Sequence, residues 1–342
     1  MLNTLKTKIF YFLAFSLTLF SSSIANILNA EEPFHPVAME TGFYYTVKKG
    51  DTLWDLSKRF SDSPWIWPEL WSENKQLSNP HRIYPGQKIR LYLRKDITKA
   101  AIPVKAETEI PPESVNEMPT FFYPKIDMVG FIKKEAVRQS GAIIKVKDDK
   151  EMISQNDLIF VKPSDGETFS LGARFFIYRT FDPLKDKKNI YGIQHYITGI
   201  AEIKEVKTDY ALANVTHSFR PIKVRDMLMP YMKRTPYIHL SKSVKSLEGT
   251  IIISEERSNY FGDNTIAFID KGIKEGVKEG QMYHVYYEEE TPVDRKGKQI
   301  TRTPITYGTV LVLQTEADTA TVLITSSKRD MHPGTKIHVD YN

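Results

Sequence analysis

The 342-residue sequence contains no cysteine. We therefore expect no disulfide framework, no cysteine-dependent peptidase or transpeptidase chemistry and no lipid anchor attached to a cysteine. A secreted chain of this kind would rely on its hydrophobic core for stability.

The sequence also lacks the short motifs of common hydrolases and nucleotide-binding enzymes. It has no His-Glu-x-x-His, His-x-His or Gly-x-Ser-x-Gly pattern and no phosphate-binding loop. Paired carboxylates for glycoside cleavage occur at Glu255-Glu256 and Glu288-Glu289-Glu290. Because runs of like charge usually lie in solvent, we interpret both as strand ends or turns. We predict no catalytic residue, no metal site and no cofactor, and hence a protein that is not an enzyme.

The net charge of the chain is also small. The formal net charge is +5, and it falls to +3 if Lys6 and Lys8 are removed with an N-terminal signal. Such a balance does not indicate nucleic-acid binding. With 41% hydrophobic and 26% charged residues, the composition is that of an ordinary globular protein, and the length predicts two or three domains.

The N-terminus has an apolar run that is too short to span a membrane. Two lysines precede the run Ile9–Phe20, and possible cleavage sites follow Ala25 and Ala30. A spanning helix needs about 20 apolar residues. Residues 1–30 therefore predict a cleaved secretory signal peptide and a periplasmic protein, and an uncleaved anchor is the alternative.

Two segments downstream of the signal have a distinctive pattern. Tyr45–Trp54 reads Tyr-Thr-Val-Lys-Lys-Gly-Asp-Thr-Leu-Trp, and Asn79–Gln87 reads Asn-Pro-His-Arg-Ile-Tyr-Pro-Gly-Gln. The first alternates as a short strand, and Thr52 with Asp55 forms the pattern of a capping box at a helix start. The second ends in a type II turn pattern, and alternation after Gln87 predicts a closing strand.

Residues 44–93 resemble a LysM module on these two segments. The resemblance implies a strand–helix–helix–strand fold that binds the glycan chains of peptidoglycan or chitin in a shallow groove between two loops. The alternative is that the loop residues only close the fold. Carried over to this sequence, the predicted glycan-binding residues are Gly50, Asp51, Thr52, Leu53, Ile83, Tyr84 and Pro85.

Three tryptophans occupy the predicted second helix, in Ser-Pro-Trp65-Ile-Trp67-Pro-Glu-Leu-Trp71. They suit either an aromatic platform for sugar rings or a brace for a small core. We favour the brace, with room for one ring to face outward.

Residues 94–126 change in character, with five prolines among Ala, Lys, Glu and Thr. Such a segment buries little apolar surface and predicts an extended linker.

The chain after residue 127 is strand-like and repeats itself. Alignment of Asn156 with Asn264 also pairs Gly172 with Gly280, and one inserted residue pairs Gly199 with Gly308 and Asp209–Ser218 with Asp318–Ser327. This periodicity predicts a duplication, with β domains at residues 127–232 and 245–342. The predicted fold is an α+β LysM module (βααβ) followed by a mainly-β C-terminal region of two tandem β-barrel or β-sandwich units.

The complete layout resembles the type IV pilus secretin-associated proteins, periplasmic proteins that tie an outer-membrane secretin ring to peptidoglycan. The resemblance implies a non-enzymatic adaptor whose partners are peptidoglycan glycan strands and a secretin or another envelope protein. The rival hypotheses are a cell-wall hydrolase that its LysM module targets, and a general wall scaffold without a secretion partner.

Overall fold

The computed structural model describes residues 39–61, 63–91, 118–147, 150, 152–187, 189–288 and 304–339. The predicted signal peptide, residues 1–30, lies outside the described residues. So does the greater part of the predicted linker. Within the described ranges, no helix combines the length and apolar character needed to cross a bilayer.

The N-terminal module has the predicted order of elements. Strand β1 (Gly42–Thr46) leads to helix α1 (Leu53–Phe60), a 3₁₀ turn (Pro64–Ile66), helix α2 (Trp67–Ser72) and strand β2 (Lys88–Arg90). The strands pair antiparallel, with Tyr45 opposite Ile89. The buried residues of its core come from both strands, both helices and the loop after α2: Tyr45, Val47, Leu53, Leu56, Leu70, Leu77, Ile89 and Leu91.

Two strands from later in the chain complete the sheet of this module. Strand β3 (Thr120–Phe122) pairs with β1, and strand β12 (Tyr237–His239) pairs with β3. The resulting order is β12-β3-β1-β2. The linker prediction for residues 94–126 is therefore wrong at its C-terminal end, because residues 120–122 form a paired strand and Ile126–Met128 forms a 3₁₀ turn.

The first β unit is a ring of six strands that encloses an apolar core. The ring consists of β5 (Gly141–Val146), β6 (Leu158–Pro163), β7 (Arg174–Thr180), β9 (Ile190–Val206), β10 (Ala211–Ser218) and β11 (Met227–Pro230). The strands pair in the order β5-β6-β10-β9-β7-β11, and β11 pairs with β5 to close the ring. Strands β4 (Phe131–Lys133) and β8 (Leu184–Lys185) attach to the long strand β9.

The second β unit is a closed barrel of six strands. Its members are β13 (Glu248–Ser254), β14 (Ile266–Ile269), β15 (Met282–Tyr287), β16 (Ile305–Thr315), β17 (Ala320–Ser327) and β18 (Lys336–His338). They pair in the order β13-β14-β17-β16-β15-β18, which is the cyclic order of the first ring. A 3₁₀ turn (Ile273–Glu275) follows β14.

The outer surface of the second ring contacts the four-stranded sheet. Buried residues of β3, β12 and the 3₁₀ turn after β3 pack with buried residues of β14, β16 and β17 in one apolar cluster. Phe43 of β1 joins this cluster, and its ring lies 4.7 Å from that of Phe121. The N-terminal module is thus joined to β3 and β12 by backbone pairing, and the sheet that they form packs on the second ring through apolar contacts.

A buried ion pair joins the two rings. Glu255, at the end of β13, is 2% exposed. Its Oε1 accepts from Gly130 N at 2.6 Å, and its Oε2 accepts from Arg220 Nη2 at 2.6 Å. Arg220 Nε also lies 3.0 Å from Oε1 of the exposed Glu256. Burial raises the pKa of Glu255, while the charge of Arg220 opposes that shift.

His195 of β9 is buried close to this junction. Its ring stacks on Phe131 with centroids 4.6 Å apart. Nε2 accepts from Val137 N at 2.9 Å, so the proton of the neutral ring lies on Nδ1, which faces Ile193 O at 3.1 Å. Burial lowers the pKa of His195 to about 4.

Candidate glycan-binding groove

An open groove of about 280 Å³ lies between the loop before α1 and the loop before β2. Its position agrees with the place expected from the sequence. Of the predicted residues, four line it, whereas Gly50, Tyr84 and Pro85 are outside the lining. The lining residues are Asp51, Thr52, Leu53, Trp54, Trp67, Pro80, His81 and Ile83.

The first wall is held by hydrogen bonds within its own loop. Lys48 N donates to Asp51 Oδ2 at 2.7 Å, and Gly50 has a φ of +96° that suits glycine in this turn. Thr52 caps α1 as predicted, because its Oγ1 accepts from Asp55 N at 3.1 Å. The same hydroxyl donates to Asp55 Oδ2 at 2.7 Å. Asp51 and Thr52 therefore shape the wall as well as line it.

Leu53 contributes to the wall differently from its neighbours. Its side chain is 2% exposed and belongs to the module's core. The amides of Leu53 and Trp54 stand in the first turn of α1, where N–H groups have no partner within the helix. This wall thus offers backbone donors to the oxygen atoms of a ligand.

The second wall is a braced turn. Gly86 has a φ of +88°, Tyr84 N donates to Gln87 Oε1 at 2.8 Å, and Gln87 N donates to Tyr84 O at 3.1 Å. Val47 N donates to Gln87 O at 2.8 Å, which fixes this loop against the end of β1. Ile83 faces the groove, while the exposed side chain of Tyr84 lies outside its lining.

Asn74 holds the two sides of the module together. Its side chain is buried, and its Nδ2 donates to Leu70 O at 2.7 Å and to Arg90 O at 2.9 Å. Its Oδ1 accepts from Arg90 N at 2.7 Å. The amide thereby pairs both backbone groups of Arg90 and connects α2 to β2 on the outer edge of the sheet.

Aromatic side chains form a part of the groove that sequence reasoning did not assign. Trp54 and Trp67 line it, and the ring of His81 lies 6.1 Å from that of Trp67. The helical spacing in the sequence indicates that these tryptophans have different surroundings. Trp67 and Trp71 are four residues apart and share one face of α2, whereas Trp65 cannot share that face.

The brace interpretation fits two of the three tryptophans in this segment. Trp71 Nε1 donates to Leu77 O at 2.7 Å, and Trp67 packs partly buried against the core. Trp65 is 76% exposed, and it is the one tryptophan of the three that the brace interpretation left room for on the outside. Its ring contacts Trp54 edge to face, with centroids 4.8 Å apart.

The carboxylate pairs noted in the sequence have other surroundings. The interpretation of Glu255 as a solvated residue is wrong, because it is buried against Arg220. Glu288 forms an ion pair with Lys336 at 2.9 Å, and Glu289 and Glu290 lie outside the described residues.

Comparison with known proteins identifies the module that contains the groove. A family profile described as LysM domain matches residues 45–91. An uncharacterized protein of Bacillus subtilis (strain 168), YqbP, is 42% identical over 57 residues, a match that covers 14% of this chain and 26% of that relative. The chain thus spans about a quarter of the length of this relative. Residues 45–91 are a LysM domain, a module that generally binds peptidoglycan or chitin.

Proposed function

We propose that this protein is a non-enzymatic periplasmic adaptor that binds peptidoglycan glycan strands in the groove of its LysM domain. The observation that carries the proposal is the groove itself, formed between the two loops of residues 45–91. The periplasmic location rests on the signal-like sequence of residues 1–30.

The groove suits a glycan chemically. Glycans present hydroxyl and N-acetyl oxygens together with apolar ring faces. The amides of the first turn of α1 supply donors to those oxygens, and Trp54, Trp67 and Ile83 supply apolar contact. Because the loop hydrogen bonds fix both walls before a ligand arrives, little ordering is needed on binding.

The attachment of the LysM domain changes how such an adaptor works. The sequence suggested a long tether between wall and partner, but β1, β3 and β12 form one sheet that packs on the second ring. A bound glycan is therefore held at a fixed position relative to that ring, and binding to the wall orients the β units.

We further infer that residues 127–232 and 245–342 are two copies of one β unit. The shared cyclic strand order supports this inference. Equivalent positions also agree: Ala211 lies opposite Val161 and Ala320 opposite Ile269. Asn156 and Asn264, which the repeat aligns, have φ values of 71° and 62°.

We assign the β units the task of binding a protein of the cell envelope, and the layout resemblance favours a type IV pilus secretin. Crosslinking in cells from exposed positions of the two rings, followed by mass spectrometry, tests this. Recovery of a secretin supports the assignment, and recovery of peptidoglycan fragments alone contradicts it.

The proposal of a non-enzymatic protein is supported by the engagement of Glu255 with Arg220 and of Glu288 with Lys336. The rival is a cell-wall hydrolase. A zymogram on purified wall separates the two, because a cleared band at the mass of this chain would require a hydrolase.

Sedimentation of the full chain with purified peptidoglycan tests the groove. His81→Ala and Trp54→Ala remove lining side chains and should reduce the sedimented fraction. His217→Ala, an exposed histidine on the first ring, is the matched control and should sediment as the unmodified protein does. Equal sedimentation of all four proteins would place the binding site elsewhere.

A further inference from the structure

The rings of two tryptophans form an aromatic surface that extends from the groove past its wall. Trp54 lines the groove and is 39% exposed, while Trp65 contacts Trp54 and is 76% exposed. Their planes are inclined at 78° with centroids 4.8 Å apart. Trp65 thus lies one aromatic ring farther out than the groove, on its Trp54 side.

The stability of the LysM domain does not explain the exposure of Trp65. A tryptophan stabilises a small domain by burying its ring, as Trp67 does in part, or by an indole hydrogen bond, as Trp71 does. Trp65 leaves most of its ring in water, where the apolar surface contributes nothing to the core. An exposed aromatic ring next to a binding groove is a feature of ligand contact.

We propose that Trp65 and Trp54 form an aromatic shelf that binds one further saccharide unit of a glycan already held in the groove. The apolar C–H face of the pyranose ring would lie on the open indole surface of Trp65. This inference rests on the proposed glycan binding and adds a subsite to it.

The surroundings favour a carbohydrate over a protein as the occupant. The shelf is continuous with a groove that combines polar and apolar lining residues, including Asp51 and His81. The two indole rings alone also offer a small surface compared with the interface that a stable protein complex requires. The shelf therefore belongs to the same ligand as the groove.

The shelf makes binding depend on glycan length. A short oligomer of N-acetylglucosamine fits within the groove, and only a longer one reaches Trp65. In the full chain, Trp65→Ala should weaken binding of long oligomers about three- to tenfold, the effect of one aromatic contact, and leave the shortest bound oligomer unaffected. Trp65→Phe should restore part of the loss.

Chitin oligomers of increasing length, titrated against the full chain by isothermal calorimetry, provide the measurement. Tyr260→Ala is the matched control, since Tyr260 is 72% exposed on the second ring, outside the LysM domain. Far-ultraviolet circular dichroism checks that each variant is folded.

The outcomes separate the shelf from the groove. A loss confined to long oligomers in Trp65→Ala supports the shelf. Unchanged affinity at all lengths, or an equal loss at all lengths, overturns the shelf and leaves the proposed function intact. If the unmodified protein binds neither chitin oligomers nor purified peptidoglycan, the proposed function is wrong and the shelf with it.

Discussion

Replacing Arg220 by methionine should be among the most destabilising single changes in the junction between the two rings. The guanidinium donates to Glu255, and its Nη1 donates at 2.7 Å both to Met128 O and to Ile197 O. Without it, Glu255 keeps only the Gly130 amide as a described partner. Removing one member of a buried ion pair costs about 3–5 kcal/mol, so we expect a loss of about 4 kcal/mol in the free energy of unfolding.

Replacing Glu255, the other member of the ion pair, should reduce the free energy of unfolding by less. In Glu255→Gln, Arg220 retains Glu256 and both carbonyl groups as partners, and a loss of about 2 kcal/mol follows from the weakened hydrogen bonds. The variant with both changes should be more stable than the sum of the two losses predicts, because it has no buried Glu255 carboxylate left without its cation.

Urea unfolding at neutral pH, followed by circular dichroism, measures these differences. Tryptophan fluorescence adds a local probe, since all four tryptophans lie between residues 54 and 71. Lys204→Met is the matched control, because its ion pair with Glu202 lies on the surface and should contribute less than about 1 kcal/mol. If Arg220→Met is no less stable than this control, the junction does not depend on the buried pair.

Three further predictions concern the rings and the LysM domain. Because the folded pKa of His195 is about 4, below its ordinary value of 6.5, the stability that its neutral form supplies is complete above pH 6.5 and falls as the pH drops toward 4. Between pH 7.5 and 5 the loss should be about 1–2 kcal/mol after allowance for solvent screening, and urea unfolding at both pH values should show a smaller loss in His195→Gln. Gly280→Ala should lower the free energy of unfolding by about 2 kcal/mol more than Gly172→Ala, as measured by thermal unfolding. Both glycines have positive φ, but only at Gly280 would an added Cβ lie 1.9 Å from His239 O. Equal losses in the two variants would contradict this steric argument. Asn74→Ala should destabilise the LysM domain by about 2–3 kcal/mol, seen as an earlier transition in tryptophan fluorescence. Asn74→Asp should recover none of this loss, because a buried carboxylate keeps the acceptor for Arg90 N but has no donor for Leu70 O and Arg90 O.

Local patterns predicted the LysM domain well. The strand alternation before Gly50, the cap at Thr52 and the turn at Gly86 all act over four residues or fewer, and each corresponds to an observed feature. The loops that these signals define are also the walls of the groove.

Features that depend on distant partners could not be predicted. Thr120–Phe122 pairs with β1 and with Tyr237–His239, and nothing in its local composition indicates either partner. The neighbouring Glu256 favours a solvated Glu255 in the sequence, but Arg220, 35 residues away, makes the burial of Glu255 possible. Likewise, the sequence around Trp65 does not reveal that its ring meets Trp54 rather than the core.

The four-stranded sheet is completed only when strands from distant parts of the chain have been made and paired. Its strands come from residues 42–46, 88–90, 120–122 and 237–239, so β1 has a bare edge until β3 arrives, and β3 until β12 does. An unpaired strand edge can join the edge of another chain, and contacts this distant in sequence form slowly. A fragment that ends between β2 and β3 would carry a finished groove beside an open edge. Chains released before residue 237 therefore leave this edge of β3 open to pairing with another chain, and expression of C-terminal truncations would show more aggregation for fragments that end before β12 than for the full chain.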